Sequence, residues 1–134
     1  MNGRPPRPRN GPCLLLFLDY DGTLVPIRKT PELARLHPSR RRLLARLAER
    51  QFVSLVSGRS LADLKKIVAL EHVAYIANHG LEMSYKNRTW VHPRAEGTKS
   101  ALRSALKRIR TETKDIQGVL VEDKGATASI HFRA

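Results

Sequence analysis

Asp19 and Asp21 follow directly on the apolar run of "CLLLFLDYDGTLVPI", residues 13 to 27, one residue apart. A carboxylate costs free energy to desolvate, and two held together repel each other, so the pair calls for a neutralising partner. In extended backbone residues two apart project to the same side, which puts Asp19 and Asp21 together and turns Tyr20 away. One carboxylate of such a pair can attack phosphorus while its neighbour manages protons. Mg2+ would relieve the repulsion and clamp a phosphate oxygen. Gly22 lets the chain turn sharply, and its N–H with that of Thr23 could cradle an anion. Ser57 offers a hydroxyl to a phosphoryl oxygen, and Gly58 leads into a helix whose start at Ser60 aims its positive end at the same place.

These groups work together only if the fold gathers them. "CLLLFLD" is a short continuous apolar run, which predicts a strand covered on both faces. "HPSRRRLLARLAERQ" predicts an amphipathic helix with Pro38 near its start, Leu43, Leu44, Leu47 and Ala48 on one face, and arginines elsewhere. "FVSLVSG" is a second buried strand, and "SLADLKKIVAL" a helix opened by Ser60 and Asp63. "VAYIANHG" is a third strand closed by turn residues. Strand and helix alternating in this way predict an α/β fold with a parallel sheet. Ligands of open α/β sheets bind beyond the carboxyl ends of the strands. Here those ends carry Asp19, Ser57-Gly58 and Asn78-His79-Gly80.

After residue 80 the pattern changes. "LEMSYKNRTWVH" reads as a hairpin turning at Lys86-Asn87, and a helix is expected from about Thr98 to Thr113, with Leu102, Ala105, Leu106 and Ile109 on one side. "GVLVEDKGATASIHFRA" reads as two strands around a Lys124-Gly125 turn. The second alternates apolar Ala128, Ile130 and Phe132 with polar Thr127, Ser129, His131 and Arg133. Glu122 and Lys124 project together from one strand face, a carboxylate and an ammonium suited to sugar hydroxyls. The division expected is a disordered basic arm over residues 1–12, a core over 13–96 and the beginning of a second, cap domain over 97–134, with the break at "PRAEGT".

The chain has 134 residues and a net charge of +13, a field that attracts anions without choosing among them. The charge is scattered over helices and a Pro-Arg arm, and aromatic residues make up only 5%, which argues against nucleic acid as partner. No stretch approaches the ~20 apolar residues of a membrane span. The single cysteine, Cys13, excludes an intrachain disulfide and is expected as a buried thiol, which suits a cytoplasmic location. The five histidines show no metal-ligand spacing.

"DYDGTLVPI" resembles the first signature of the haloacid dehalogenase superfamily of aspartate-nucleophile phosphohydrolases, and "SLVSGRS" resembles its second. "NHGLE" and "VEDKGATASIHFR" are similar to segments of the trehalose-6-phosphate phosphatases, whose pattern includes E-x-K, a short gap and H-[FY]-R. The resemblance spans about residues 13 to 134. It implies a Rossmann-like core, here an incomplete parallel sheet with flanking helices, followed by the start of an α+β cap. It further implies an Mg2+-dependent phosphatase hydrolysing trehalose 6-phosphate through an aspartyl-phosphate. Asp19 would be the nucleophile and an Mg2+ ligand. Asp21 would be the general acid/base and give its main-chain carbonyl to the metal. Ser57, with Gly22, Thr23 and Gly58, would surround the phosphoryl group. Arg59 would lie beside it, Glu122 and Lys124 would face substrate from the cap, and His79 is a further candidate contact. His131 and Arg133 are read as ordering the cap. A trehalose-phosphate synthase is the one protein partner suggested.

Two later signatures of the superfamily, a lysine and an acidic GDDxTDE-like segment, have no match in these residues. The expectation is therefore of an N-terminal portion that binds Mg2+ poorly and turns over slowly or not at all alone. Another sugar-phosphate phosphatase of the superfamily, or a non-catalytic phosphatase-like module, are the competing readings.

Overall fold

The computed structural model describes residues 14–28 and 30–132. The basic arm, Cys13 and Arg133 lie outside the described residues.

The apolar runs become strands because parallel neighbours satisfy their main-chain groups while β-branched and large aliphatic side chains fill the space beneath the helices. β1 (Leu15–Asp19) pairs in parallel with β2 (Phe52–Val56), and β2 with β3 (Ala74–Ala77). Between them run α1 (Pro38–Ala48) and α2 (Leu61–Val68). The expected hairpin, β4 (Glu82–Tyr85) and β5 (Arg88–Val91), adds antiparallel to β3 and gives a five-stranded sheet in the order β1-β2-β3-β4-β5. Lys86 and Asn87 both take positive φ at its turn, the conformation a two-residue hairpin loop demands.

α1 packs on β2, and α2 on β3 and β4. Leu44 and Ala48 of α1 and Leu64 and Val68 of α2 meet Val53 and Leu55 of β2 and Tyr75 of β3 in one core. Each large aliphatic side chain fully buried there contributes about 1.5–3 kcal/mol relative to exposure. Leu43, expected on the buried face of α1, points outward instead.

The opposite face of the sheet corrects the expectation for β1. Leu15 is 57% and Phe17 59% exposed, while Leu16 and Leu18 are partly buried. β1 is the edge strand, and no helix among the described residues packs on its second face. An unbroken apolar run cannot by itself announce how many faces are covered. The uncovered side carries a row of aromatics, Phe17 against Phe52 at 6.2 Å between ring centres and Phe52 against Tyr85 at 5.5 Å.

α3 (Pro93–Thr113) starts five residues before the expected Thr98. Pro93 stands at its first turn, where a missing N–H costs nothing, and the His92 side chain accepts a hydrogen bond from Arg94 N–H. Leu106 is buried, Leu102 and Ile109 are half-buried, and Ala105 is exposed. The last two strands, β6 (Leu120–Asp123) and β7 (Ala128–His131), form a separate antiparallel pair. Glu122 stands opposite Ser129 and Leu120 opposite His131, so Glu122, Ser129 and His131 share one face.

Candidate active site

The carboxyl ends of β1, β2 and β3 lie side by side, and their loops carry the expected chemistry. Asp19 ends β1 in register with Val56 of β2. Its carboxylate is exposed and accepts a hydrogen bond from Thr23 Oγ1 at 3.3 Å. Gly22 makes the turn at φ 92°, but its N–H donates to the Val25 carbonyl at 2.8 Å. Gly22 therefore shapes the loop and does not offer the anion-cradling N–H expected of it, because closing so tight a turn consumes that donor.

One carboxylate of the pair, Asp21, is neutralised from within the chain. Arg59 grips it with both sides of its guanidinium: Nε donates to Oδ2 and Nη2 to Oδ1, each at 2.8 Å. Nη1 donates to Asp63 Oδ2 at 2.9 Å, and the guanidinium lies 5.4 Å from the ring centre of Tyr20. Arg59 is only 7% exposed. The hydrogen bonds that Arg59 donates to Asp21 raise the pKa of Arg59, with burial opposing the shift and Asp63 adding to it. Arg59 thus stands next to Asp21, with its charge committed to two carboxylates.

Ser57 is buried at the end of β2. Its hydroxyl accepts the Arg59 N–H at 3.2 Å and lies 3.4 Å from Asp21 Oδ2. Two amides at the start of α2 are already engaged. Leu61 N–H donates to Glu82 Oε2 at 3.1 Å and Asp63 N–H to Ser60 Oγ at 3.2 Å, so capping absorbs them.

The β6–β7 pair comes to the same place. Lys124 Nζ donates to the Gly58 carbonyl at 3.1 Å and stands 3.8 Å from Glu122 Oε2. His131 Nε2 lies 2.9 Å from the same Glu122 oxygen. The pair is fastened to the core through Asn78, whose Nδ2 donates to the Lys124 carbonyl at 3.0 Å. Between core and strand pair lies a cleft of about 370 Å3. Asp21, Gly58, Arg59 and His79 line its core side and Glu122 and Lys124 the other. Asp19, Gly22, Thr23 and Ser57 are not among its lining residues, and Ser57 reaches it through its contact with Asp21. His79 is exposed, at φ 57°.

Glu82 and Arg28 escaped the sequence reading, Asn78 enters it only as part of a strand-end turn, and Ser129 only as a polar position of the last strand. Asn78 and Glu82 hold the loops together, while Ser129 and Arg28 line the cleft. Asn78 and Glu82 both stand in "NHGLE", of which the turn residues are expected at a strand end and Glu82 only through a resemblance.

The donor chemistry fits part of an Mg2+ shell. Mg2+ is ordinarily held by one or two carboxylates, with phosphate oxygens and water completing six positions. The exposed Asp19 carboxylate is such a donor. Among the described residues no group of three or more acidic, histidine or cysteine side chains is placed to cage a metal. No helix among them is long and apolar enough to cross a membrane.

The family model described as trehalose-phosphatase matches residues 17–134. A trehalose-phosphate phosphatase of Mycobacterium leprae (strain TN) is 34% identical over 119 residues, covering 88% of this chain and 28% of that protein. One from Mycolicibacterium paratuberculosis (strain ATCC BAA-968 / K-10) is 36% identical over 121 residues, covering 88% and 30%. The chain thus spans less than a third of the curated relatives it matches. Among solved structures, the C-terminal domain of a C. albicans trehalose-6-phosphate phosphatase superposes with a TM-score of 0.77 at 27% identity, covering 89% of this chain and 42% of that one. A trehalose-6-phosphate phosphatase related protein gives 0.76, also at 27% identity, covering 84% and 48%.

Proposed function

Because the chain belongs to the trehalose-phosphatase family, we propose that it carries the nucleophile, proton-transfer and sugar-facing parts of a phosphatase acting on trehalose 6-phosphate. The observation that carries this reading is the cleft itself: Asp21 and Arg59 stand on one wall and Glu122 and Lys124 on the other. A disaccharide monoester needs both, an anion-handling end and a hydroxyl-binding end.

In this reading the Asp19 carboxylate attacks phosphorus, and the bond from phosphorus to the sugar oxygen breaks. The leaving oxygen takes its proton from Asp21. Water then attacks the phosphorus of the aspartyl-phosphate, Asp21 takes the proton of that water, and phosphate leaves as Asp19 is restored. Ser57 steadies a phosphoryl oxygen, Glu122 accepts from sugar hydroxyls, and Lys124 donates to them. Mg2+, held by the Asp19 carboxylate and the Asp21 main-chain carbonyl, supplies neutralisation of the phosphoryl charge when bound. The described residues furnish only part of that shell, so turnover by this chain alone is slow or absent.

The test is ligand mapping by NMR on the 15.1 kDa chain. Trehalose 6-phosphate should perturb amides on both walls, trehalose alone those around Glu122 and Lys124, and inorganic phosphate those around Asp21 and Ser57. Equal responses to unrelated phosphate esters would remove the disaccharide from the proposal. Any phosphate release should vanish in Asp19→Asn, and its survival would show that Asp19 is not the nucleophile. A rapid, Mg2+-dependent release by the chain as it stands would overturn the assignment of slow turnover.

A further inference from the structure

Asp19 and Asp21 are a residue apart in sequence, yet their carboxylates stand in different surroundings. That of Asp19 meets only a hydroxyl, Thr23 Oγ1, among the hydrogen bonds of the described residues. That of Asp21 has both oxygens taken by one guanidinium, with Ser57 Oγ at 3.4 Å as a further neighbour. The grip is directional. A side-on fork fixes the plane of the carboxylate as well as its position, which an ammonium cannot do. The fork is itself held: Asp63 takes Nη1, and Tyr20, wholly buried, lies beside the guanidinium with its own hydroxyl tied to the Ala34 carbonyl at 3.0 Å.

We infer that Arg59 is a positioning residue that keeps the Asp21 carboxylate out of the metal's coordination shell, so that of this pair only Asp19 offers its carboxylate to the cation. Two like charges at one strand end would otherwise close together on a divalent ion. A carboxylate gripped on both oxygens by one guanidinium is not free to turn toward the cation. The Arg59 fork thus holds the Asp21 carboxylate away from its neighbour's cation, and Asp63 on the first turn of α2 anchors the fork. The inference rests on the proposed reading only in taking Asp19 as the cation ligand.

Mn2+ binding, followed by electron paramagnetic resonance on the full chain without substrate, tests this apart from activity. Freeing the Asp21 carboxylate adds an anionic ligand, so Arg59→Lys, which retains the charge but not the fork, should bind Mn2+ at least about threefold more tightly than the native chain. Arg59→Gln should tighten it further, having lost the neighbouring positive charge as well. A purely structural role would lower the melting temperature and leave Mn2+ affinity unchanged or weaker. Unchanged or weaker binding in Arg59→Lys overturns the inference, as does tightening confined to Arg59→Gln, which charge alone explains. Should Arg59→Lys fail to fold, Asp63→Asn, which loosens the anchor and spares the fork's charge, must show the same tightening. Adding Asp21→Asn to Arg59→Lys must abolish the gain. Native binding that survives Asp19→Asn would instead remove Asp19 as ligand, a separate failure belonging to the proposed function.

Discussion

Thr127 Oγ1 donates a hydrogen bond of 2.7 Å to Asn78 Oδ1, joining residues 49 positions apart, and the Asn78 side chain is wholly buried. The Asn78 Nδ2 donates in turn to Glu82 and to the Lys124 carbonyl, and its main-chain N–H donates to the Arg59 carbonyl at 2.8 Å. One amide thus holds the β6–β7 pair, the end of β3 and the loop of Arg59 in a single arrangement.

Asn78→Ala should therefore cost about 2–3 kcal/mol, more than the roughly 1 kcal/mol of one ordinary hydrogen bond, because buried partners lose their mates together. Thr127→Val isolates the link to the strand pair and should cost about 1 kcal/mol. In hydrogen exchange, Thr127→Val should speed the amides of β6 and β7 while leaving β2 and β3 near native rates. Uniform acceleration everywhere would mean that the contact supports global stability and not the seating of the strand pair.

Gly58 faces His79 at close quarters. A Cβ built on Gly58 would lie 2.5 Å from His79 Cε1 and 2.7 Å from Nε2, so Gly58→Ala must displace the imidazole. The expected cost is about 1–3 kcal/mol, as for other overpacked sites. It should shrink when His79→Ala is added, since the clash is with the ring alone. Equal cost in both backgrounds would place the strain in the main chain.

Alkaline pH should weaken the fold through two tyrosines. Burial pushes the Tyr20 phenol above its ordinary value near 10, the Arg59 charge opposing, and burial does the same for Tyr75, whose hydroxyl donates to the Leu70 carbonyl at 2.6 Å. For a raised pKa the unfolded chain loses its proton first. The stabilisation from the neutral phenols is complete below pH ~10 and declines as pH climbs toward their folded values. Melting temperature against pH should fall more gently in Tyr75→Phe than in the native chain over this window. Identical slopes would exclude Tyr75 as a contributor.

Much of the molecule was legible in the chain. The strand ends gather where the Asp-x-Asp and Ser-Gly strings predict, and the hairpin turns at Lys86-Asn87, since asparagine tolerates positive φ. Local signals failed where a partner lies far away. The bond of Arg59 to Asp63 is a local i,i+4 pair across the start of α2, but its fork to Asp21 spans 38 residues and follows only from the parallel pairing of β1 with β2. Gly97 made "PRAEGT" look like a break, yet α3 runs through it, because Pro93 and the His92 cap start the helix early enough to carry a glycine. Glu82 reads as a surface charge on a hairpin. Its work at the start of α2 depends on the antiparallel return of β4 beside β3.

The bare side of the sheet has a thermodynamic corollary. With Phe17 and Trp90 partly open to water, 59% and 43%, any reversible self-contact that shields them adds free energy to the folded form by mass action. The unfolding midpoint should then climb with protein concentration and lose that dependence in Phe17→Lys. A denaturation curve recorded at one dilution would describe that dilution, not the lone polypeptide.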